Sequence, residues 1–439
     1  MKKYISIAAA LVMMSVSTYA NAATSNSSAD ISQSVGSSNE AVVEQVDVNF
    51  GTADINQAGS VNKAEAEQTG DANTASINQI GNINEADVEQ AGNGNAATVD
   101  QTGDHNFVDV DQNGDNNTAG VAQKGNGNKV EEIKQVGNEN SADVAQQGNN
   151  NTAKLAQTGT SNDASVEQIG SNNSADLTQT GYSNTADVDQ TGDSNQADMT
   201  QNGSSNFAEV EQNGLANVAR VEQDGIANIA NIEQDGNGNN ASVEQIGNGN
   251  SADIAQTGVN NNADNDQVGN NNIASIEQMG NDNFAEVEQA GDGNSAELVQ
   301  NGNNNSADAF LTGNGNVADV EQLGDGNITE LAMLGDFNNV DIDQEGNLNT
   351  AIVNTTGSYN EINVEQSGDL NTASIDQVSS YADAIIMQTG TGNAANISQT
   401  GAGTASERNS AFIEQNGSFN SANISQSGGA GNSASIVQN

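Results

Sequence analysis

The sequence predicts an all-β chain, a stacked β-solenoid with cross-β geometry and two strands in each coil of about 22 residues. Three observations lead there. Glutamine returns every eleven residues along most of the 439-residue chain. Between the glutamines, apolar and amide residues alternate with polar ones at the two-residue period of a strand. There are 47 glycines and no proline, as expected where nearly every backbone N–H is needed for a ladder.

Glutamine sets the beat. It stands at Gln57, Gln68, Gln79, Gln90, Gln101, Gln112 and Gln123, slips by one residue to Gln135, and keeps an eleven-residue phase to Gln399, interrupted at Leu311, Met333 and Thr355. Gln33, Gln45 and Gln57 are twelve apart, and Gln399 to Gln415 is a sixteen-residue step. The repeat region is therefore placed at 33–439, with slips near 123–135 and 399–415, behind a short N-terminal segment 23–32 and a leader 1–22.

Aligned on this beat, the unit reads Asn-x-Ala-x-aliphatic-x-Gln-x-Gly-x-x. Asn184, Ala186, Val188 and Gln190 form one copy, Asn195, Ala197, Met199 and Gln201 the next, and Asn206, Ala208, Val210 and Gln212 a third. Residues two apart in a strand share a face, so these twelve are predicted to point inward. Asp187, Asp189, Glu209 and Glu211 fall on the opposite face as exposed acidic columns. Gly181, Gly192, Gly203 and Gly214, two places after each glutamine, are the predicted turn glycines, with access to positive φ.

Seven strand residues and a four-residue turn make half a coil. Two halves close a flattened coil, and the exceptions support that size. Leu311, Met333 and Thr355 are 22 apart, and Phe310, Ala332 and Asn354 before them also depart from the usual acid, so the defects are expected in one column of one sheet. Stacking places each strand about 4.8 Å above its equivalent, in register, as in amyloid. Inward Asn and Gln are then expected to form amide ladders, each side chain donating to one neighbour and accepting from the other. Alanine lets the sheets approach and the aliphatic residue fills the middle. Roughly eighteen coils at that spacing extend on the order of 85–90 Å, with stability summed over coils and their neighbours rather than held in one core.

The leader, MKKYISIAAALVMMSVSTYANA, has Lys2 and Lys3, an apolar run and Ala20-Asn21-Ala22. This is the pattern of a Sec-type signal peptide cleaved between Ala22 and Ala23. Its apolar run is shorter than the ~20 residues a membrane span needs. The chain is read as exported, and with no cysteine it gains nothing from disulfides.

A net charge of -50 argues against nucleic acid or an anionic membrane as partner. Disorder is the usual meaning of such acidity, but it does not account for the strict placement of the apolar residues. Catalysis finds no support. The one histidine, His105, occupies a turn position beside Asp104, and the carboxylates lie on an exposed face with no reason for shifted pKa values. Asp109 to Gly114 imitate the first half of an EF-hand loop, but the twelfth position is Gly120, where a bidentate Glu is required. No cofactor is expected beyond weak, nonspecific divalent cation binding by the acidic columns. The same charges serve equally as gatekeepers that keep the monomer soluble and slow its assembly. Phe107, Phe207 and Phe284 take the first outward position of their units, as lateral contacts between fibres or as isolated surface aromatics. Lys124, Lys129 and Lys134 surround the one-residue slip, as a bulge with charge relief or as an interaction patch.

The unit as it stands in NSADLTQTGYSN (Asn173–Asn184) and NASVEQIGNGN (Asn240–Asn250) resembles the curlin repeat of the curli fibre subunits of Gram-negative bacteria. The resemblance covers essentially all of the chain after the leader. It implies a secreted subunit that polymerises outside the cell into functional amyloid for biofilm matrix, surface adhesion and cell aggregation. Asn184, Ala186, Gln190, Gly192, Asn195, Ala197 and Gln201 match the motif position by position, and in the family such Asn and Gln residues build the core ladders. The implied partners are further copies of the chain, a related curlin subunit and an outer-membrane secretion apparatus. The chain is several times longer than familiar subunits. It has no glycine-rich stretch within Ala23–Gln33 and no basic residue in SGGAGNSASIVQN at its C-terminus, so major subunit and nucleator both stay open.

A solenoid has an unpaired strand edge at each end, and an unblocked edge templates another chain. The first coils, around Gln33 and Gln45, and the last, around Gln426 and Gln438, keep the motif without proline or dense lysine. The alternative is a monomeric secreted β-solenoid acting as an adhesin or binding rod. An ice-binding face would need an outward Thr column, where this chain has Asp and Glu.

Overall fold

The structure, a computed structural model, describes residues 5–9, 17–22 and 26–439. Of the expected cleavage pair, Ala22 ends the strand Ser17–Ala22 and Ala23 lies outside the described residues. Among the described residues every regular element is a β-strand. The chain divides into two compact units, Met1–Asn217 and Val218–Asn439.

In the first unit successive strands alternate between two parallel sheets. Ser28–Ser34, Thr52–Ala58 and Thr74–Ile80 stack in one, and Glu40–Val46, Lys63–Thr69 and Glu85–Ala91 stack in the other. The alternation continues to Gln196–Ser204 and Phe207–Leu215. Register is residue for residue, so that Val188 pairs with Val210 and Gln190 with Gln212. The second unit repeats the plan, from Val218–Ile226 and Ile229–Asn237 to Ser421–Ser427 and Ser433–Gln438. The coil is therefore a two-strand solenoid turn of about 22 residues, as the sequence predicts. The three interruptions fall where that size puts them, Leu311 pairing with Met333 and Met333 with Thr355 in a single sheet.

The strand that carries Gln33 begins at Ser28, so the coil pattern reaches back into 23–32. Burial alternates along each strand. Ala186, Val188 and Gln190 are buried between outward neighbours in Thr185–Asp193. Gln201, near the end of its strand, donates to the carbonyl of Thr185, at the start of the preceding strand in the opposite sheet, at 2.9 Å. The two strands thus run in opposite directions across the interior, and the small Ala of one faces the aliphatic residue of the other. Each buried Val contributes roughly 1.5–3 kcal/mol, and the thin interior repeats that contribution coil by coil.

Both irregular steps are absorbed without breaking the stack. At the slip, the strand Lys129–Asn138 bulges against Phe107–Asn113 between Val108 and Val110. Lys129 pairs with Glu131 at 2.8 Å, and Lys134 lies 3.6 Å from Glu132 and 3.9 Å from Asp111. This is the charge-relieved bulge, and it leaves Gln112 bonded to Gln135 at 2.8 Å. At the long step, Thr404 and Glu407 form a small antiparallel bridge, and Arg408 reaches back to Asp383 and to Glu361. Gln388 still donates to Gln415 at 2.8 Å.

Candidate functional site

The chemistry of this fold lies in its amide columns, its turns and the places where the columns stop. Gln190 Nε2 donates to Gln212 Oε1 at 2.8 Å and to the Ser174 carbonyl at 3.0 Å, while Gln190 Oε1 accepts from Gln168 at 2.8 Å. One side chain thus ties its own coil to the two beside it and joins both sheets. The glutamine ladder has the expected form in each unit.

Asparagine follows the expected pattern in part, and backbone groups join its relay. The backbone N–H of Asn184 donates to Asn162 Oδ1 at 3.1 Å, and Asn184 Nδ2 donates to the Gly203 carbonyl at 3.1 Å and to Asn162 Oδ1 at 3.2 Å. Asn195 likewise donates from its N–H to Asn173 Oδ1 at 3.0 Å and from Nδ2 to the Gly214 carbonyl at 3.1 Å. Backbone groups join the relay because the side chain is one methylene shorter than glutamine and sits against the turn. It satisfies turn carbonyls that would otherwise be buried without a donor.

The turn glycines answer a second demand besides φ. At Gly192 φ is 118°, and a Cβ there would stand 2.0 Å from the Gly214 carbonyl oxygen of the next coil. Gly181, Gly203 and Gly214 share the positive φ. The residue before each Asn also has positive φ: 55° at Ser183, 62° at Ser194 and 58° at Ser205. This second position went unread in the sequence, although it explains the Asn, Ser and Gly found there. It also bears large residues. Phe337, Tyr359 and Tyr381 occupy it on successive coils, stacked at 5.2 and 4.9 Å. Their 22-residue spacing was the available signal.

The acidic columns are in register, Asp187 over Glu209 and Asp189 over Glu211. The expectation of ordinary carboxylate pKa values is corrected here. Asp189 is pushed up to about 6, mainly by loss of surrounding water and then by Asp187, Glu167, Glu211 and Glu209. Asp87, Asp266 and Asp343 are pushed up to about 6 in the same way, burial first. The strand face is open to solvent, but side chains on adjacent coils crowd each carboxylate and bring like charges within a strand spacing of it. Among the described residues, no group of three or more His, Cys, Asp or Glu is arranged to hold a metal ion.

His105 is an exposed turn residue with φ of 60° whose N–H donates to the Asn82 carbonyl at 3.0 Å. Phe107, Phe207 and Phe284 are half-buried, and the Lys129 amine lies 5.9 Å above the Phe107 ring. Lys124 is exposed.

At the ends the columns are unfinished. Gln33 and Gln45 donate onward to Gln57 and Gln68, at 2.7 and 2.8 Å, but the buried Oε1 of each has no hydrogen-bond partner. At the other end Gln426 and Gln438 accept from Gln399 and Gln415, each at 2.8 Å. Each then donates to a single backbone carbonyl, that of Ser410 at 2.9 Å and of Ser421 at 3.1 Å. An amide nitrogen has two hydrogens to donate, so each retains one. The alternate residues of Ser433–Gln438 that face inward are only half-buried.

Among the described residues, no helix is long and apolar enough to cross a membrane. No curated protein matches the chain. The family of the Curlin associated repeat matches residues 52–81, 81–112, 103–131, 132–159, 148–181, 170–203, 181–214, 192–225, 203–236, 225–258, 247–280, 280–309, 335–368 and 407–439. These fourteen matches cover most of the chain, so the chain belongs to the curlin family.

Proposed function

We propose that the chain is the structural subunit of an extracellular, curli-like amyloid fibre, and that its activity is assembly rather than catalysis. The observation that carries this reading is the pair of unfinished glutamine columns, with unanswered acceptors at Gln33 and Gln45 and spare donors at Gln426 and Gln438. An interior coil satisfies each such group with the next coil, so a further copy supplies at the ends what a neighbour supplies within. Membership of a family of extracellular fibre-forming proteins supports the same reading. In this reading the 1–22 leader directs export across the inner membrane, and the chain leaves the cell through an outer-membrane secretion apparatus. A related curlin subunit starts or extends the fibre, which serves biofilm matrix, adhesion and cell aggregation. The acidic columns bind divalent cations weakly and without a dedicated site.

The test is to purify the chain from residue 23 onward and follow it by electron microscopy and fibre diffraction. Unbranched fibrils with a meridional reflection near ~4.7 Å are expected. A chain that stays monomeric and soluble at high concentration for days would instead be a secreted binding rod.

A further inference from the structure

The two ends differ from the interior in charge as well as in bonding. From Asn416 to Asn439 no side chain is charged, and between residues 23 and 39 Asp30 is the single charged side chain, in a protein of net charge -50. Interior columns stack acid on acid, as Asp187 on Glu209. The first and a late strand are also nearly the same: SADISQS in Ser28–Ser34 and SANISQS in Ser421–Ser427 differ only at Asp30 and Asn423.

In each unit a strand stacks on the one two before it, so the place that follows Ser433–Gln438 lies on Ser421–Ser427. We propose that a second copy enters there in one register, Ser28–Ser34 on Ser421–Ser427 and then Glu40–Val46 on Ser433–Gln438. In this joint Gln426 Nε2 donates to Gln33 Oε1 of the second copy, and Gln438 Nε2 donates to its Gln45 Oε1. Both glutamine columns continue without a gap, and the two orphaned acceptors meet the two spare donors. Asn423 lies over Asp30, so an amide faces the one carboxylate where interior coils place a second acid. The joint has a polarity, C-terminal end onto N-terminal end, because two N-terminal ends would oppose acceptor to acceptor.

The leader holds this edge in the whole chain. Ile5–Ala9 pairs with Ser28–Ser34 and Ser17–Ala22 with Glu40–Val46, placing Ala9 at the position of Gln33 and Ala22 at that of Gln45. The Oε1 atoms of Gln33 and Gln45 stay without a partner under these strands, and loss of residues 1–22 opens the edge to a second copy.

The joint rests on the self-assembly reading, and the experiment separates the two. The chain has no cysteine, so chains beginning at residue 23 and bearing Ser32→Cys or Ser425→Cys are mixed, assembled and oxidised. Both positions are exposed and outward, and a strand spacing of about 4.8 Å lies inside the Cα window for a disulfide. The mixed 32–425 disulfide is expected as the dominant crosslink in the fibres. A chain that retains residues 1–22 is expected to lose growth under the same conditions. Fibrils with dominant 32–32 or 425–425 disulfides would overturn the polarity, and preferential pairing of Ser32→Cys with Val437→Cys would overturn the register. Fibrils with no crosslink in any mixture would overturn the joint while leaving self-assembly standing. Absence of fibrils in the microscope would sink both.

Discussion

Gln190 Nε2 lies 2.8 Å from Oε1 of Gln212, the residue that takes its place one coil on. The same nitrogen also donates to the opposite sheet at Ser174. Gln190 is thus a donor twice and an acceptor once, in an interior where water does not replace a lost partner. The column is a chain of dependencies: an error at one position is felt at the two beside it.

Gln190→Leu should therefore cost more than its own lost bonds. It leaves a donor on Gln168 and the acceptor of Gln212 buried without partners, at about 1–3 kcal/mol for each. A second change beside it, Gln168→Leu, moves one orphan outward instead of adding two. The double variant should fall short of the sum of the singles by two such orphans, about 2–6 kcal/mol. The natural run Leu311, Met333 and Thr355 has this contiguous form, flanked by Gln289 and Gln377. Amide hydrogen exchange of the strands around residue 190 measures the effect, and strictly additive losses would refute the dependency.

Asn265 is the converse case. It occupies an aliphatic position between Val243 and Val287, is fully buried, and has neither Nδ2 nor Oδ1 hydrogen-bonded. Asn265→Val should stabilise its coil by about 1–3 kcal/mol through removal of the unpaired amide. Slower exchange in Asn262–Asn270 is the expected readout, whereas faster exchange would mean that the amide is paired in solution.

Coil size, facing and the column of exceptions were legible in the sequence because a period of two and a period of eleven fix them without reference to side-chain rotation. The backbone part of the bonding of Asn184 was not. Periodicity says that an amide points inward, but which atoms it bonds depends on how far that amide reaches, and one methylene separates the side-chain relay of Gln190 from that of Asn184, which backbone groups join. The raised pKa of Asp189 was hidden for a related reason. A one-strand reading sees an exposed carboxylate, while the shift comes first from burial, then from Asp187 on the same strand, and then from neighbours 22 residues away, Glu167 and Glu211. The ends of the columns were legible as motifs, but their sense, acceptors at Gln33 and Gln45 and donors at Gln426 and Gln438, depends on which way each amide is turned.

The glycine column gives a contrast between two substitutions of similar chemistry. Gly192→Ala meets the Gly214 carbonyl oxygen at 2.0 Å, backbone that cannot move without parting the coils. Gly293 has φ of 68°, and a Cβ there meets nothing within 4 Å. Asn tolerates that conformation and occupies its equivalents at Asn271 and Asn260. Gly192→Ala should be strongly destabilising, by upwards of about 1–3 kcal/mol for backbone strain alone, while Gly293→Asn should be close to neutral. Urea midpoints of the two variants, compared with the parent, decide it, and equal losses would contradict the stacking argument.

Acid should stabilise this protein. Asp87, Asp189, Asp266 and Asp343 each have a folded pKa of about 6, against about 3.9 for an unfolded aspartate. Between those values the folded chain binds protons that the unfolded chain does not, so stability rises as pH falls through about 6 and the gain is complete below about 3.9. It is lost as pH rises above about 6, the reverse of the usual carboxylate behaviour. For Asp189 the groups that matter are Asp187 on its own strand, Glu167 on the coil before, and Glu209 and Glu211 on the coil after. The urea midpoint should be higher at pH 4.5 than at pH 7.5, and added salt should narrow the gap by screening the columns. Asp189→Asn should raise the midpoint at pH 7.5 and leave it unchanged below pH 4. Fibre growth followed with thioflavin should likewise be faster at pH 4, or with millimolar Ca²⁺, than at pH 8 in chelator. A midpoint that falls monotonically with acid would show that the columns are fully hydrated in solution and that their stacked charges carry no linkage.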